Sequence, residues 1–296
     1  MKKYFLPEAS VKEECALALG DFDGLHKAHR ILIKKTVEIA KRENILSGVY
    51  VFDKSIKSSK VITPENLKER LIEEENADFI AVQHTDKEFF DTSCEDFVKK
   101  FLKDKLNAKY VVVGKNYTFG KAGKGTSDYL KVLCSKEGIE TVVVEDVLFE
   151  NEIISSSRIR KLLAEGEIEK VNSILGYNYI IEGIVEHGKQ LGRTLGFPTA
   201  NVYPDKNTVL PKFGVYAAEV NIMGKSLMAM VNVGMRPTVC GDKPSVEAYI
   251  EGIDGEFYGE KIEISFLKFI RDEQKFASVE ELKKQIEKDA ISGGLL

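Results

Sequence analysis

Apolar runs of the length of a strand alternate with charged stretches of the length of a helix in the N-terminal half of the chain. The predicted strand and helix pairs are 16–19 with 31–41, 48–52 with 64–75, 79–82 with 94–106, 110–113 with 126–137, and 141–144 with 157–164. Five such alternations are typical of a parallel sheet whose strands are connected by crossover helices. This half of the chain is therefore predicted to be an α/β domain.

The pattern changes near residue 178. Beyond it, apolar runs are separated by turn-rich loops, and one helical stretch, 278–290, closes the chain. The predicted strands are 179–185, 214–222, 226–233, 246–251 and 261–269. Runs of this kind predict a small antiparallel barrel or sandwich. We place the seam at 166–178 and predict two domains, residues 1–176 and 177–296.

The composition is that of an ordinary globular protein, with 43% hydrophobic and 30% charged residues in a chain of 296. A net charge of -4 gives no electrostatic argument for nucleic-acid binding. No apolar run approaches the roughly 18 residues that span a bilayer, and no signal-like apolar segment follows the first residues, so we expect a cytoplasmic protein without a membrane partner. The four cysteines lack Cys-x-x-Cys spacing, which suggests neither a zinc site nor a disulfide framework and predicts buried or incidental thiols.

The most distinctive segment reads Gly-Arg-Thr-Leu-Gly-Phe-Pro-Thr-Ala-Asn and ends at Asn201. Gly192 and Gly196 would let backbone amides approach an anion, and Pro198 fixes the chain direction. Thr199 and Asn201 would face one side of an extended segment and offer neutral oxygens that Mg²⁺ accepts alongside phosphates. The segment therefore predicts a phosphate- and metal-binding loop, with a simple hairpin of polar turn residues as the competing interpretation.

A second pattern of this kind follows the first predicted strand, where a loop leads into a helix that begins near two histidines. His26 and His29 are three residues apart and would share one helix face. Helix N-termini at the carboxyl ends of parallel strands bind phosphates, and two imidazoles there can donate hydrogen bonds to a nucleotide. The alternative is a pair of structural histidines. The loop residues predicted to bind the nucleotide are Gly20, Asp21, Phe22, Asp23 and Gly24.

Two further segments could complete this second site. Ser155 and Ser156 precede Arg160 after the fifth strand, and together they could present hydroxyls, amides and a guanidinium to a triphosphate. A serine cap followed by a solvated arginine is the alternative. The loop 113–125, which contains Asn116, is rich in glycine, lysine and aromatic residues, and it could wrap phosphates or a flat ring, or be only a mobile loop.

Taken together and in this order, the motifs resemble one known family. Gly-x-Phe-Asp-Gly-x-His-x-x-His, Gly-x-x-Tyr/Phe-x-Phe-Gly, Ile-Ser-Ser-x-x-Ile-Arg and Leu-Gly-Phe-Pro-Thr-Ala-Asn look like those of the bifunctional bacterial riboflavin kinase/FAD synthetase, over nearly the whole chain. The resemblance implies an N-terminal FMN adenylyltransferase with a Rossmann-like parallel sheet, and a C-terminal, six-stranded antiparallel riboflavin kinase barrel with a terminal helix. The chain would phosphorylate riboflavin to FMN and adenylylate FMN to FAD, using ATP and Mg²⁺.

The resemblance also implies roles for residues of the kinase half. Thr199 and Asn201 match the family's magnesium and ATP positions, and Glu247 matches the catalytic base, which would accept the proton of the ribityl 5′-hydroxyl. Asn232 is a further match in the substrate site. Arg271 matches a segment that covers the flavin in the family, which makes it a candidate phosphate or flavin contact.

In the adenylyltransferase half the resemblance implies catalysis without a protein nucleophile. The FMN phosphate would attack the α-phosphorus of ATP, while His26, His29 and Arg160 stabilise charge on the phosphates. This half departs from the family pattern in three places. Ala28 replaces a usual glycine, Asn116 replaces a usual aspartate, and the residues that follow Asp53 are not Pro-His-Pro.

These departures leave two alternatives to the bifunctional enzyme. One is a riboflavin kinase with a weak or degenerate adenylyltransferase domain. The other is a non-catalytic protein that senses or carries a flavin, which would have no need of a base at Glu247 beside a metal-binding loop.

Overall fold

The computed structural model describes residues 1–54, 58–186, 199–238, 241–250 and 258–294. The chain divides into two compact units. The first unit contains Met1–Val61 and Glu65–Ser156, and the second contains Ile62–Pro64 and Ser157–Leu296.

A parallel sheet forms the centre of the first unit. In chain order its described strands are β1 (Lys2–Leu6), β2 (Cys15–Leu19), β3 (Leu46–Phe52), β4 (Phe79–Gln83), β5 (Ala108–Gly114), β6 (Thr118–Phe119), β7 (Gly125–Thr126), β8 (Glu140–Val144), β9 (Leu148–Phe149) and β10 (Glu152–Ile153). Six of them form one sheet in the order β1-β4-β3-β2-β5-β8, with every neighbouring pair parallel, and β6–β7 and β9–β10 are short hairpins. All five residues of β2 and of β4 are buried, as expected for a sheet that is covered on both faces.

Helices connect these strands and cover the sheet. They are α1 (Lys27–Glu43), α2 (Glu65–Glu74), α3 (Lys87–Phe90), α4 (Cys94–Asp96) and α5 (Ser127–Lys136), with a π-helical segment, Phe97–Lys105, directly after α4. Where the periodicity predicts one α-helix over 94–106, the chain thus forms a short α-helix and a longer π-helical stretch.

The strand order creates a switch point between β2 and β5. From β2 the chain continues to β3 and β4 on one side, and it later returns to the other side of β2 to form β5 and β8. In open parallel sheets, ligands bind in the crevice outside the carboxyl ends of the strands at such a point. The loop after β2, which carries the two histidines, opens at this place.

Three cysteines of the first unit are buried free thiols, as their scattered spacing predicts. Cys15 lies in β2 and its Sγ contacts the carbonyl oxygen of Leu106 at 3.0 Å. Cys134 lies in α5, and Cys94 begins α4. Cys240 lies outside the described residues.

A closed antiparallel barrel forms the centre of the second unit. Its strands are β11 (Tyr179–Glu186), β12 (Thr199–Pro204), β13 (Gly214–Ile222), β14 (Lys225–Thr238), β15 (Gly241–Ile250) and β16 (Lys261–Arg271). They close in the order β11-β12-β15-β14-β13-β16. Large side chains such as Tyr179, Tyr216 and Phe266 fill the interior and contact one another through their rings.

A helix covers part of the outer face of this barrel. This C-terminal helix, Val279–Gly293, buries Ala290 in an apolar cluster with Val215 and Met230. Val215 alternates with the interior residue Tyr216 along β13, so this cluster lies outside the barrel wall.

The predicted seam at 166–178 contains a helix. Helix α6 (Ser156–Glu165) is followed by α7 (Ile168–Leu175), and Asn172 of α7 joins two barrel strands. Its Nδ2 donates to the Phe266 carbonyl oxygen and its Oδ1 accepts from the Tyr179 N–H, both at 2.8 Å. The fully buried side chains of α7 are Ile168, Val171, Ile174 and Leu175.

The predicted fold class, a parallel α/β sheet followed by an antiparallel six-stranded barrel and a terminal helix, is confirmed. The apolar pattern missed β1 at the edge of the sheet, β12 in the barrel, and the four strands of the two short hairpins. The boundary predicted between residues 176 and 177 leaves α7 outside the second domain, whereas α7 packs on β11 and β16. That residues 177–296 act alone stays a prediction.

Two candidate active sites

His26 is the N-cap of α1. Its Nδ1 accepts a hydrogen bond from the backbone N–H of His29 at 3.3 Å, which places the proton of the neutral ring on Nε2. The residue is 4% exposed, and burial lowers its pKa to about 4 against an opposing backbone hydrogen bond. Near pH 7 His26 is therefore a neutral imidazole with one N–H donor to offer.

His29 lies one turn further along and stacks on His26. The two ring centroids are 3.7 Å apart with an interplanar angle of 16°, and the Phe22 ring lies 5.1 Å from His29. The first turn of α1 holds no acidic residue, so the positive end of the helix dipole is not neutralised there. Two stacked imidazoles at such a helix end form an environment suited to phosphate oxygens.

The loop before His26 is tightly turned. Phe22 is fully buried with a φ of 51°, and Gly24 has a φ of 89°, which glycine adopts at little cost. A Cβ on Gly20 would lie 3.1 Å from the Phe22 ring, so the close approach of that ring favours glycine. Asp21 accepts a long hydrogen bond from Lys68 Nζ at its carbonyl oxygen, 3.5 Å away.

The serine segment contacts this loop. Ser156 Oγ donates to the carbonyl oxygen of Asp23 at 2.7 Å, and Asp23 itself is 1% exposed. Ser155 and Ser156 are half-buried, and Arg160 is half-buried on α6. The structure thus brings Ser156 to the nucleotide loop that the sequence predicted.

Asn116 follows β5, the strand on the other side of the switch point. It is exposed, and its Nδ2 donates to Asp146 Oδ1 at 2.9 Å. The amide at position 116 is therefore directly beside a carboxylate at position 146.

An aromatic cavity of about 220 Å³ lies in the first unit. Phe52 at the end of β3, Phe89 in α3, and Tyr117 and Phe119 after β5 line it, together with Phe90 and Phe97. The Phe52 and Phe89 ring centroids are 5.8 Å apart. Of the elements that line this cavity, the sequence analysis identified only the aromatic loop 113–125. The missed signal was the aromatic pair at 89–90.

Asp53 precedes the segment that lacks the family's Pro-His-Pro, and its carboxylate contacts the residues that follow β4. Asp53 Oδ2 lies 2.6 Å from His84 Nδ1, while its Oδ1 accepts from the N–H and the hydroxyl of Thr85 at 3.0 and 2.5 Å. Partial burial opposes ionisation, but these hydrogen bonds outweigh it and hold the pKa of Asp53 below its ordinary value. The ends of β3 and β4 are thus joined through one carboxylate. Residues 55–57 lie outside the described residues.

The second site lies on the barrel wall. Asn201 in β12 is directly opposite Glu247 in β15, which is directly opposite Asn232 in β14. Opposite residues on antiparallel strands project to the same face, with Cβ atoms about 5 Å apart. The flanking Val246 and Ala248 are fully buried, so by alternation Glu247 and the two amides face outward. We call Asn201, Glu247 and Asn232 the polar row.

A second carboxylate approaches the polar row. Glu273 Oε1 lies 3.5 Å from Asn232 Nδ2, and a Cβ on Gly234 would collide with that carboxylate. Glycine at position 234 is therefore what lets Glu273 come this close to β14. The motif match included Glu273 and Asn232, but the sequence did not show that the two side chains meet.

Arg271 ends β16 and is held by the C-terminal helix. Its Nε lies 3.0 Å from both carboxylate oxygens of Asp289, and its Nη2 lies 2.8 Å from Oδ2. Arg271, which the sequence predicted to contact phosphate or flavin, is thus paired with the Asp289 carboxylate. Its direct contact with substrate stays a prediction.

Of the four residues predicted for the kinase loop, three lie outside the described residues, and one is described by its backbone. Gly192, Gly196 and Pro198 lie outside the described residues, and Thr199 is placed by its backbone alone, opposite Tyr249.

The donors at the polar row suit Mg²⁺. Asn201 is 6% exposed and offers a carboxamide oxygen next to the Glu247 carboxylate, and Mg²⁺ favours hard oxygen ligands. In the described part of the chain, no group of three or more His, Cys, Asp or Glu side chains is arranged to hold a metal ion. The row therefore fits a Mg²⁺ that takes its other ligands from nucleotide phosphates.

The fold and the candidate sites together indicate a class: a transferase with one candidate phosphate site at a sheet switch point and another on a barrel wall. Residues 8–158 match the FAD synthetase family, and residues 175–292 match the riboflavin kinase family. Bifunctional riboflavin kinase/FMN adenylyltransferases from Listeria monocytogenes and Bacillus subtilis are each 36% identical, over 92% and 96% of this chain and 89% and 93% of theirs. The Escherichia coli K12 enzyme is 34% identical over 95% of this chain and 92% of its own. The chain belongs to the family of bifunctional riboflavin kinase/FMN adenylyltransferases.

A solved structure has the same fold throughout. The crystal structure described as a macrolide-efflux protein from Streptococcus pneumoniae is 29% identical, with a TM-score of 0.90 over 98% of both chains. The description as a macrolide-efflux protein applies to that protein alone. Among the described residues here, none of the helices has both the length and the apolar character that crossing a membrane requires.

The resemblance stated from the motifs is confirmed, and so are both predicted activities. The chain is an enzyme of flavin biosynthesis with a kinase and an adenylyltransferase domain, and riboflavin, FMN and ATP are the substrates of its family.

Proposed function

We propose that FMN forms at the polar row and that FAD forms at the His26–His29 pair. The observation that carries this assignment is the strand register that sets Glu247 between two amides, Asn201 and Asn232. A carboxylate flanked by neutral hydrogen-bonding groups on the outer face of the barrel is arranged to accept a proton from a bound hydroxyl.

In the kinase reaction Glu247 accepts the proton of the ribityl 5′-hydroxyl. The hydroxyl oxygen forms its bond to the γ-phosphorus as the bridging bond to ADP breaks. Thr199 and Asn201 would hold Mg²⁺, which when bound neutralises charge on the phosphates. The loop around the ATP phosphates would contain Gly192, Gly196 and Pro198.

In the adenylyltransferase reaction the FMN phosphate attacks the α-phosphorus of ATP, and pyrophosphate leaves. His26 donates its Nε2–H to a phosphate oxygen, and His29 and Arg160 stabilise the charge on the same group. Ser155 and Ser156, with the loop from Gly20 to Gly24, surround the nucleotide.

The aromatic cavity is assigned to the isoalloxazine ring of FMN. Six aromatic side chains line a space of about 220 Å³, and flat apolar rings bind in such spaces by stacking and edge contacts. Phe52 and Tyr117 follow β3 and β5, the two strands next to β2, so the cavity and the histidine pair share the same edge of the sheet.

One pair of variants tests both assignments in the same protein. Glu247→Gln should reduce FMN formation by roughly 10²- to 10⁴-fold, the contribution of a positioned base. FAD formation from added FMN should be unchanged. His29→Ala should reduce FAD formation roughly 10²-fold or more, since a preorganised charge-stabilising group is lost. Riboflavin phosphorylation should be unchanged in that variant.

Each variant is the control for the other, because both are assayed for both reactions. Near-parental FMN formation by Glu247→Gln would remove Glu247 from its role as base. If the parent makes FMN but no FAD, the chain is a kinase with a degenerate adenylyltransferase domain, the alternative that Ala28 on the first turn of α1 and Asn116 leave open.

The domains 1–176 and 177–296, the use of Mg²⁺ by both reactions and a cytoplasmic location belong to the same proposal. Support for the metal comes from the oxygen donors of the polar row.

A further inference from the structure

A buried ion pair lies beside the kinase site without taking part in the chemistry assigned above. Arg271 and Asp289 make three contacts of 2.8 to 3.0 Å, and their side chains are only 16% and 5% exposed. A two-pronged arginine–carboxylate contact of this kind fixes orientation as well as distance. Gln285 Nε2 also donates to Asp289 Oδ1 at 2.8 Å, which holds the carboxylate from its own helix.

The pair controls the direction of the chain that leaves β16. Arg271 Nη1 donates to the carbonyl oxygen of Asp272 at 3.0 Å, and its guanidinium carbon lies 5.6 Å from the centre of the Phe276 ring. The guanidinium therefore contacts the chain on both sides of Glu273, at the Asp272 carbonyl oxygen and at the Phe276 ring. With Asp289 fixed in the C-terminal helix, this turn has a defined position on the barrel wall.

Glu273 is the residue that this turn delivers to the site. Its carboxylate lies 3.5 Å from Asn232 Nδ2 and against Gly234, and Asn232 is directly opposite Glu247. A carboxylate and an amide side by side are suited to hydrogen-bond the hydroxyls of a polyol chain. The ribityl chain of riboflavin is such a polyol, and its terminal hydroxyl is the group that must reach Glu247.

We propose that Asp289 and Arg271 are positioning residues of the riboflavin kinase reaction, which hold the Glu273 carboxylate against Asn232 so that it binds the ribityl hydroxyls. The inference rests on the proposed role of Glu247. Arg271 then acts through Glu273 rather than by touching phosphate or flavin, and the C-terminal helix is part of the riboflavin site.

The test measures kcat and riboflavin KM for FMN formation by the full chain. Asp289→Asn and Glu273→Gln should each raise the riboflavin KM roughly tenfold or more, the usual effect of losing one hydrogen bond to a charged group. Arg271→Lys keeps the charge but loses the two-pronged contact, so it should raise KM in the same way. Glu287→Gln, which changes an exposed carboxylate on the same helix, is the matched control and should leave KM at the parental value.

Two further readouts separate positioning from general stability. FAD formation from added FMN, measured in the same samples, should not change. The double variant Asp289→Asn/Glu273→Gln should be no worse than either single variant, because both changes remove the same contact with substrate. Additive losses, or a lowered melting temperature with an unchanged riboflavin KM, would show that the ion pair is only structural.

Glu273 is exposed, so Glu273→Gln should fold even if the loss of Asp289 prevents folding. A parental riboflavin KM in Glu273→Gln overturns the proposal by itself. Different results contradict the two proposals. Parental activity in Glu247→Gln removes the proposed base. An inactive Glu247→Gln, with an unaltered riboflavin KM in the Glu273 and Asp289 variants, removes only the positioning role.

Discussion

In the proposed mechanism His26 has both a structural and a chemical role: its imidazole caps α1 and donates a hydrogen bond to a phosphate. The sequence placed His26 and His29 on one helix face, but it could not show that Nδ1 of His26 caps the helix, since that depends on the backbone turn at Phe22 and Gly24. Because the cap occupies Nδ1, the Nε2–H is the polar group of the His26 ring that remains to face a ligand.

The polar row is a second arrangement that the sequence alone could not show. Asn201 and Glu247 are 46 positions apart, and only the pairing of β12 with β15 makes them neighbours.

The buried state of His26 predicts a dependence of stability on pH. Its pKa is about 4 in the folded chain and 6.5 when exposed, so the unfolded state binds more protons between these values. The free energy of unfolding should therefore fall as the pH drops from 6.5 to 4, by up to about 3 kcal/mol from this residue. Urea unfolding followed by circular dichroism between pH 4 and 7.5 measures the slope.

His26→Asn should reduce this acid-side slope, because asparagine caps the helix but does not titrate. In His84→Asn, which removes an imidazole that is 57% exposed together with its contact to Asp53, the contribution of His26 should remain. An unchanged slope in His26→Asn would mean that folding does not lower the pKa of His26.

At the scale of elements, strongly periodic segments were predicted well and interrupted ones were not. Strands β2 to β5 are continuous apolar runs between charged helices, and their type and order follow from that pattern. β1 was missed because two lysines begin it, and its place at the edge of the sheet depends only on pairing with β4. The π-helical segment has the apolar spacing of an α-helix, so periodicity alone could not distinguish the two.

Helix α7 lies in the segment 166–178, where the change of pattern near residue 178 predicted the seam between the domains. Gly176 has a φ of 83° and ends the helix, a common use of glycine. The helix instead supports the barrel through Asn172, which bonds the backbones of β11 and β16.

Asn172→Ala should lower the free energy of unfolding of the second unit by about 2 kcal/mol, because it removes two hydrogen bonds to partly buried backbone groups. Ser173→Ala, on the same helix, loses only a bond to the Glu169 carbonyl and should change stability little. Equal urea midpoints for Asn172→Ala and the parent would contradict the bracing role of α7.

At the scale of the whole molecule, two compact units each carry one of the two reactions of the family. FMN, the product at the barrel, is the substrate at the parallel sheet, so one chain takes riboflavin to FAD. The sequence changes near residue 178 from alternating strands and helices to strands joined by turn-rich loops, and this change predicted the division. The place at which the chain can be cut depends on α7, whose packing the pattern did not reveal.

Two fragments test this division. Residues 157–296 keep α7 and should fold and phosphorylate riboflavin, because they form nearly all of the second unit. Residues 177–296 should phosphorylate riboflavin as well, but they should unfold at a lower temperature because the buried face of α7 is gone. An unfolded or inactive 157–296 fragment, by circular dichroism and FMN formation, would show that the barrel requires the first unit.

The buried cysteines supply a natural probe of the first unit. Burial raises the pKa of Cys15 to about 12 and that of Cys134 to about 11, so in the native state neither forms the thiolate that reacts with alkylating reagents. Iodoacetamide should therefore modify Cys15 only when the sheet opens and Cys134 only when the packing of α5 opens, and peptide mass spectrometry can follow each one separately. The rates of their alkylation in native buffer report how often each of these elements of the first unit opens, without any engineered label.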